Sequence, residues 1–256
     1  MDWKVFLETK FLVWVLFVTR LAGMFMIAPF FADWFFPLQL KIPLVVFFSW
    51  AALPMINEVI PLSINVMSLV LSMLANYFLG FLIGFFAILP FAAISIAGEI
   101  FGTQMVLALS SVFDPQREET PILGEFVYVV GLYVFVALNG HLLLLQAIVE
   151  STSKVPLSQT ILKPNIVSLV LEKSGEMFVV AMKFGFPIIA FMLVVTLALG
   201  ILSRLIPQMN VFMVGMPLKI LVGLILFLGM IPVWADVFSQ ISVRLMNFVE
   251  NFVKNL

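Results

Sequence analysis

The chain has 256 residues, of which 63% are hydrophobic and 11% are charged, and its formal net charge is −1. Soluble domains are about half apolar and about one quarter charged, so this composition excludes an ordinary soluble domain and predicts an integral membrane protein. The balanced charge gives no reason to expect a nucleic-acid partner. The sequence contains no cysteine, which excludes disulfides and thiolate metal sites.

Apolar stretches recur along the whole chain, and most are long enough to cross about 30 Å of hydrocarbon as a helix. They lack the period-2 alternation of membrane barrel strands, and a backbone in lipid must satisfy its polar groups within its own helix. The sequence therefore predicts an all-α membrane protein of about six long hydrophobic helices with proline and glycine breaks: Phe11–Ala32, Ile42–Ile56, Val66–Pro90, Ile122–Val149, Met177–Leu202 and Val211–Trp234.

The first half of the chain departs from a simple bundle of lipid-exposed helices. Its second stretch is short, and Pro43 and Pro54 bracket it. No charged residue occurs from Val59 to Gly98, which is too long for one crossing and has no polar hairpin to make two. Pro90 lies inside this stretch and is expected to kink or break its helix. This pattern favours broken helices that pack on protein neighbours.

Two pairs of glycines support the same interpretation. Gly80 and Gly84 lie four residues apart, as do Gly98 and Gly102. This spacing allows two helix backbones to approach closely. The alternative is that glycine is simply common in membrane helices.

Two polar connections separate the apolar stretches. Asp114–Pro121 gathers four charged residues, and both of its prolines follow an N-cap residue, so it predicts a turn that restarts a helix. Glu150–Glu176 contains two prolines, and its later part, Ile166–Leu171, is compatible with an interfacial amphipathic helix. If the chain crosses six times, the distribution of lysine and arginine favours both termini on the inner side.

Several ionisable residues fall within or at the edges of apolar stretches, and each would cost about 2.5–3.5 kcal/mol at the bilayer centre. The functional hypothesis is an ion or substrate path; the structural alternative is an interhelical pair or a snorkelling side chain. Arg20 is central in its stretch and is expected to have a buried partner, such as a carboxylate or a helix C-terminus. His141 follows Asn139 and Gly140, where the helix continues or breaks. These residues are Arg20, Glu99, Glu125, His141, Glu176 and Lys183.

Catalytic motifs are absent from the sequence. It contains no glycine-rich phosphate loop, no HExxH and no recognisable Ser-His-Asp arrangement, and a single histidine makes no metal site. We therefore expect no catalytic residue, no metal and no cofactor. A small-molecule secondary transporter with interrupted helices remains the alternative function, although the halves show no convincing repeat and the buried charges do not cluster.

The last third of the chain closely resembles the C-terminal signature of the FliR family of flagellar biosynthetic proteins, which includes the T component of virulence type III secretion systems. The signature runs from Leu199 to Phe212 and continues from Gly215 to Ile220. Further matches occur in the order and spacing of the family: Arg20, Pro29, Pro37, Pro43, Gly98-Glu99, Gln104-Met105, Phe113-Asp114-Pro115, Pro121 and Asn139-Gly140-His141-Leu142. The resemblance covers essentially the whole chain.

This resemblance implies a pore-forming structural subunit of the type III protein export gate, needed for flagellum assembly. The expected location is the bacterial inner membrane, within the flagellar basal body, and the expected partners are FliP and FliQ, with FlhB and FlhA nearby. Unfolded export substrates would pass through the pore. Residues 1–256 would form one membrane-embedded domain, with a FliP-like part at 1–150 and a FliQ-like hairpin at 151–256. The run Gly215–Lys219 favours the flagellar over the virulence branch.

Two sites follow from the resemblance. A plug that closes the pore matches the loop at Val106–Pro121; the alternative is an ordinary solvent-facing loop. The tip of the hairpin would contact neighbouring subunits or FlhB; the alternative is a polar hairpin turn. The plug residues are Phe113, Asp114, Pro115, Arg117, Glu118 and Glu119, and the tip residues are Arg204, Pro207, Gln208 and Asn210.

Overall fold

The computed structural model describes residues 10–32, 37–60, 65–105, 122–158, 166–206 and 211–255. These residues form seven α-helices and contain no strand, so the all-α prediction is confirmed. A short 3₁₀ turn, Leu53–Met55, follows the second helix. The helices are α1 (Phe11–Ile27), α2 (Leu38–Ala52), α3 (Val66–Gln104), α4 (Ile122–Ala137), α5 (Gly140–Lys154), α6 (Ile166–Leu205) and α7 (Val211–Asn255).

Four helical stretches of the described chain are long and apolar enough to cross a membrane: Leu38–Met55, Val66–Gln104, Met182–Leu205 and Met213–Ile241. A fifth span results if α4 and α5 are counted as one broken span. Helix α1 is also apolar but has only 17 residues. The chain is thus a membrane-integral helical protein, and its described part contains four or five candidate spans and one shorter apolar helix, close to the predicted count of about six.

Helix α3 is continuous through Pro90, so of the expected kink or break only the break is wrong. Proline removes one helical hydrogen bond, but Phe86, Ala87 and Phe91 around it are fully or almost fully buried. Tertiary packing of these side chains outweighs the local cost of the proline. The 39 residues of α3 extend about 58 Å at 1.5 Å per residue. The whole helix counts as a single candidate span, so the expectation that the uncharged stretch is too long for one crossing stays a prediction.

Two other predicted boundaries need correction. The stretch Ile122–Val149 is not one helix, because Asn139 adopts a left-handed conformation with φ of 59° and the chain bends by 65° between α4 and α5. Asparagine tolerates this conformation better than most residues. A separate interfacial helix at Ile166–Leu171 is also wrong, because these residues form the first turns of the 40-residue α6. No proline separates these residues from the rest of α6, so the helix continues without interruption beyond Leu171.

The chain is organised in two compact units, and the four boundaries between them fall within α3, α4, α6 and α7. Unit 1 contains α1, α2, the first part of α3, the end of α4, α5, the start of α6 and the end of α7. Unit 2 contains the remaining parts of α3, α4, α6 and α7. The chain passes between the units after Leu89, Val134, Lys173 and Ile241.

In unit 1, α1 and α3 pack backbone against backbone. A methyl group at Gly23 would overlap the carbonyl oxygen of Tyr77, and one at Gly80 would overlap the carbonyl of Arg20. A methyl group at Gly84 would lie 3.0 Å from a main-chain oxygen of α1. The close approach predicted from the spacing of Gly80 and Gly84 is therefore confirmed.

In unit 2, the backbones of α3 and α4 approach closely at Gly98 but not at Gly102. A methyl group at Gly98 would lie 2.7 Å from the Cα atom of Gly124. At Gly102 the nearest atom would be 3.8 Å away, which is ordinary contact. A larger residue at position 98 would clash with α4, which explains Gly98. Position 102 has room for a side chain, so the packing does not explain Gly102.

Aromatic rings pack between helices of unit 2. The rings of Phe101 and Phe227 stack at 5.5 Å, and Trp234 meets Phe227 edge-on at 5.3 Å. Phe91 and Phe238 form a second edge-on pair at 5.0 Å. These rings join α3 to α7, and the Trp234 indole N–H donates a 3.3 Å hydrogen bond to the carbonyl oxygen of Phe184 on α6. Aromatic burial of this kind is a large packing contribution.

Candidate functional site

The clearest polar site in the described chain surrounds Arg20, whose side chain is fully buried in unit 1. Its Nε donates a hydrogen bond to Oδ1 of Asn76 at 2.8 Å, and Nη1 donates to the hydroxyl of Ser151 at 3.0 Å. Nη2 donates to the carbonyl oxygen of Val155 at 2.9 Å. All three nitrogens of the guanidinium therefore have acceptors, which a buried cation requires.

Val155 is the C-cap residue of α5, where helix carbonyls lack intrahelical donors and the helix dipole is negative. The helix C-terminus expected as a partner of Arg20 is thus present. The other expected partner, a carboxylate, takes a different position. Glu58 interacts with Arg20 electrostatically, but its carboxylate oxygens accept hydrogen bonds from Leu157 and Ser158.

Glu58 holds the segment that follows α5. Its Oε2 accepts a hydrogen bond from the amide of Leu157 at 2.7 Å, and its Oε1 accepts from the amide and the hydroxyl of Ser158 at 3.1 and 2.6 Å. The Nζ of Lys10 donates to the carbonyl oxygens of Ile56 and Glu58 at 2.6 and 3.2 Å. This arrangement fixes the segment after α2 between the start of α1 and the end of α5.

Helix α3 completes the site with two buried polar residues one turn apart. The Nδ2 of Asn76 donates to the carbonyl oxygens of Ser72 and Leu157, at 2.7 and 2.8 Å. The hydroxyl of Ser72 donates to the carbonyl oxygen of Ser158 at 3.2 Å. Asn76 therefore uses its oxygen for Arg20 and its nitrogen for the chain after α5, so one amide links three segments.

We refer to these residues as the Arg20 cluster. Its members come from α1, the segment after α2, α3, and the end of α5 with its following segment. Arg20, Asn76 and Ser151 are buried and hydrogen-bonded to one another or to main-chain groups, and such a satisfied network favours one arrangement of the helices, because displacement would leave a buried polar group unpaired. The cluster comprises Lys10, Arg20, Glu58, Ser72, Asn76, Ser151, Val155, Leu157 and Ser158.

Within this cluster the sequence marks only Arg20 clearly, because it is a charge within an apolar stretch. Ser72 and Asn76 carry a weak signal, since they are polar residues one helical turn apart in a long uncharged stretch. Glu58 is a lone acid between two apolar stretches, which is the only hint of its role.

The remaining ionisable residues lie in different places. His141, at the start of α5 in unit 1, packs its ring 5.4 Å from that of Phe30, and its buried Nδ1 has no hydrogen-bond partner in the part of the chain described. In unit 2, Glu99 and Glu125 each follow a glycine of the α3–α4 contact, and both are exposed. Lys183 is exposed on α6.

The predicted plug residues, from Phe113 to Glu119, lie outside the described residues, but both flanks of this loop are anchored in unit 2. Met105 is fully buried, and its side chain occupies the space in front of Gly223 on α7. After the loop, α4 starts at Ile122, and Leu123 contacts α3 at Gly98. The residues on both sides of the loop, Met105 and Leu123, are therefore packed against other helices of unit 2.

The predicted hairpin tip is described only in part. Arg204 is exposed in the last turn of α6, where a cation is favourable next to the helix C-terminus. Pro207, Gln208 and Asn210 lie outside the described residues. Among the described residues, no group of three or more histidine, aspartate or glutamate side chains is placed to hold a metal ion.

Comparison with known proteins decides the family. Residues 11–245 match the model of the family described as bacterial export proteins, family 1. The chain belongs to this family. The match includes α1–α6 and α7 as far as residue 245, and therefore both units.

Curated relatives agree with this membership over nearly their full lengths. The flagellar biosynthetic protein FliR of Buchnera aphidicola subsp. Baizongia pistaciae (strain Bp) is 32% identical over 234 residues, or 90% of each chain. FliR of Escherichia coli (strain K12) is 28% identical over 93% of this chain and 91% of its own. FliR of Aquifex aeolicus (strain VF5) is 29% identical over 98% of this chain and 95% of its own. The resemblance to the FliR family is confirmed, and with it a place in the flagellar protein export apparatus.

Proposed function

We propose that the chain is a pore-forming structural subunit of the type III export gate in the bacterial inner membrane, through which unfolded flagellar proteins leave the cell. The observation that carries this proposal is the similarity to FliR proteins along almost the entire chain. On this proposal the protein has no catalytic activity of its own, and its contribution is to shape and close a channel.

Exposed apolar surface supports an assembly role. Only 17% of the α2 span, 22% of the α6 span and 17% of the α7 span is buried within the chain, compared with 61% of the α3 span. Such surface must be covered by lipid or by other proteins. FliP and FliQ are the proposed subunits around it, with FlhB and FlhA nearby.

The anchored loop at residues 106–121 supports the proposed closing role. It carries Asp114, Arg117, Glu118 and Glu119, which cannot rest in hydrocarbon without partners. Its flanks are held by Met105 on one side and by α4 on the other. A charged loop with fixed ends is suited to block an aqueous channel and to move within it without loss of the surrounding packing.

The function is tested by replacing FliR of a motile bacterium with this chain and measuring swimming and the export of hook and filament proteins. Restored export supports the proposal. Stable membrane insertion without any export, in a strain where the native protein restores it, contradicts it.

The partners are tested by extraction in mild detergent. A gate subunit is expected to co-purify with several small membrane proteins, whereas a small-molecule transporter would be isolated alone or as a symmetric oligomer. Arg204→Glu reverses the exposed charge at the proposed hairpin tip and is expected to reduce recovery of FlhB, with Lys154→Glu on α5 as the matched control. Full recovery of every partner with Arg204→Glu rejects the contact role of the tip.

A further inference from the structure

Helix α5 carries a polar stripe on its outer face. Gln146, Glu150 and Ser153 follow one another at intervals of four and three residues, so they lie on one face of the helix. Gln146 and Ser153 are exposed, and Glu150 is half-buried. The opposite face of α5 is buried in unit 1 and includes Leu144 and Ile148. The stripe therefore belongs to the surface of unit 1 and not to its core.

Much of the hydrogen-bonding capacity of the stripe is unused within the described chain. The Nε2 of Gln146 donates to Oε1 of Glu150 at 2.7 Å, and the hydroxyl of Ser153 donates to the carbonyl oxygen of Glu150 at 2.7 Å. The side-chain oxygen of Gln146 and the second carboxyl oxygen of Glu150 have no partner among the described residues. Such groups are costly in hydrocarbon, so they require water or a polar surface.

Two contacts with α1 give the depth of the stripe in unit 1. The ring of His141 packs 5.4 Å from that of Phe30, just beyond the end of α1, and the hydroxyl of Ser151 accepts a hydrogen bond from Arg20 in the middle of α1. Phe30 follows Arg20 by ten residues, and Ser151 follows His141 by ten. Helix α5 therefore runs antiparallel to α1, alongside its second half.

That half of α1 is entirely apolar. Residues 21–27 carry only apolar side chains or glycine, and Met26 among them is exposed. Gln146 and Glu150 lie between His141 and Ser151 in the chain, and hence at this apolar level of unit 1. A stripe that served the headgroup region would lie beside the start of α1, near Lys10. Polar residues at hydrocarbon depth almost always face the bundle interior or a water-filled cavity, and the stripe faces away from the core.

We propose that the α5 stripe, defined as Gln146, Glu150 and Ser153, borders the water-filled channel of the export gate and forms a wall along which the export substrate passes. The inference rests on the proposed function and assigns residues of the described chain to the channel. Lys154 is exposed next to the stripe and balances the charge of Glu150. Such a wall forms hydrogen bonds with any polypeptide backbone and retains neither sign of charge. The lipid-facing alternative is an apolar face such as that of Phe47 on α2.

The first test measures access of water, and the absence of cysteine from the sequence makes it direct. Single cysteines replace Gln146, Ser153 and, as the matched control in unit 1, the exposed Phe47. Membranes with the assembled complex are treated with a membrane-impermeant, positively charged methanethiosulfonate. Gln146→Cys and Ser153→Cys are expected to react about tenfold faster than Phe47→Cys or more, because a charged reagent is excluded from hydrocarbon. Equal rates at the three positions, or reaction of Gln146→Cys only after denaturation, overturn the proposal.

The second test distinguishes the channel from bulk water and from a neighbouring subunit. A photoreactive amino acid replaces Gln146, and an export substrate fused to a tightly folded domain is held in the gate during irradiation. An adduct with the substrate supports the proposal, and the same photoreactive residue at Phe47 is expected to give none. Adducts of the Gln146 position with lipid or another membrane subunit alone, or no adduct with the held substrate, overturn it.

Export is measured in each strain before labelling, so the failure of this inference and that of the proposed function are distinguishable. A chain that inserts in the membrane but never supports export contradicts the proposed function. A chain that exports normally, but whose Gln146 position neither reacts with the charged reagent nor reaches the substrate, keeps the function and refutes the channel-lining role of the α5 stripe.

Discussion

The guanidinium group of Arg20 and the carbonyl oxygen of Val155 are joined by a 2.9 Å hydrogen bond, although 135 residues separate them in the chain. Val155 ends α5, so a cation in the first helix is neutralised in part by the negative end of another helix. This contact joins α1 to the end of α5 within the Arg20 cluster, while Asn76 connects both of them to α3.

Replacing Arg20 should destabilise the protein strongly. In Arg20→Met, the side chain keeps most of its apolar length, but Asn76, Ser151 and Val155 each lose a donor. Each lost partner costs about 1 kcal/mol or more, about 3 kcal/mol in total, and this predicts a fall of roughly 6–12 °C in melting temperature for a chain of this size. The measurement is fluorescence-detected thermal unfolding in detergent.

The control for Arg20 is Arg204→Met, which removes an exposed arginine from the end of α6 and should change the melting temperature by about 2 °C or less. If Arg20→Met and Arg204→Met melt at the same temperature, the Arg20 cluster does not stabilise unit 1.

A methyl group at Gly80 should destabilise the protein. In Gly80→Ala, Cβ overlaps the main chain at Arg20, which cannot move without separating α1 from α3. We expect a loss of stability and reduced yield of folded protein in size-exclusion chromatography. In Gly102→Ala, on the same helix, the added methyl meets only atoms 3.8 Å away or more, so its yield should match the wild type or exceed it, since alanine favours helix by about 1 kcal/mol. Equal effects of the two substitutions would show that helix propensity, and not close packing, explains Gly80.

Glu58 should protect the main-chain amides after α5. Its carboxylate accepts hydrogen bonds from the main-chain N–H groups of Leu157 and Ser158. Glu58→Ala removes this acceptor from both groups. Hydrogen–deuterium exchange of a peptide that covers residues 155–158 is therefore expected to become faster by about tenfold or more, since a hydrogen bond to a charged group contributes about 1.5–3 kcal/mol. Glu125→Ala, at an exposed glutamate of α4, should leave the exchange of this peptide unchanged. Unchanged exchange in Glu58→Ala would contradict the role of Glu58.

Removing the proposed plug should make the membrane permeable. Deletion of Leu109–Glu119 leaves Met105 and α4 in place, so the core of unit 2 is retained. We expect growth inhibition in high salt and a measurable ion leak in cells that assemble the complex. The matched control replaces the same eleven residues by a glycine-serine linker with Asp114, Arg117, Glu118 and Glu119 kept at their positions, which should leak less. A tight membrane after the deletion, with normal assembly, would reject the plug.

Local sequence patterns predicted part of the fold for physical reasons that the structure makes clear. Composition alone predicts helices in a membrane, and the four-residue spacing of Gly80 and Gly84 predicts the contact with α1, because both depend on properties of short segments. The break at Asn139 carries a local signal as well. Pro90 shows the limit of such reasoning, since the burial of Phe86 and Phe91 decides the outcome there.

The Arg20 cluster could be predicted only at Arg20 itself. The cost of a charge in an apolar stretch is visible in the sequence, but its acceptors are 56, 131 and 135 residues away. Serine, asparagine and main-chain carbonyls occur throughout the chain, so nothing marks these particular ones as partners. Only the tertiary fold selects them.

The sequence separation between Arg20 and Val155 also determines how long after Arg20 its acceptor is synthesised. At a synthesis rate of about 5–20 residues per second, Val155 emerges roughly 7–27 s after Arg20. Asn76 emerges much earlier and offers the first neutral acceptor, while the glycine contact already brings α3 against α1. The partners that join α1 to α3 are therefore available before the carbonyl group at the end of α5 that completes the set of acceptors around Arg20.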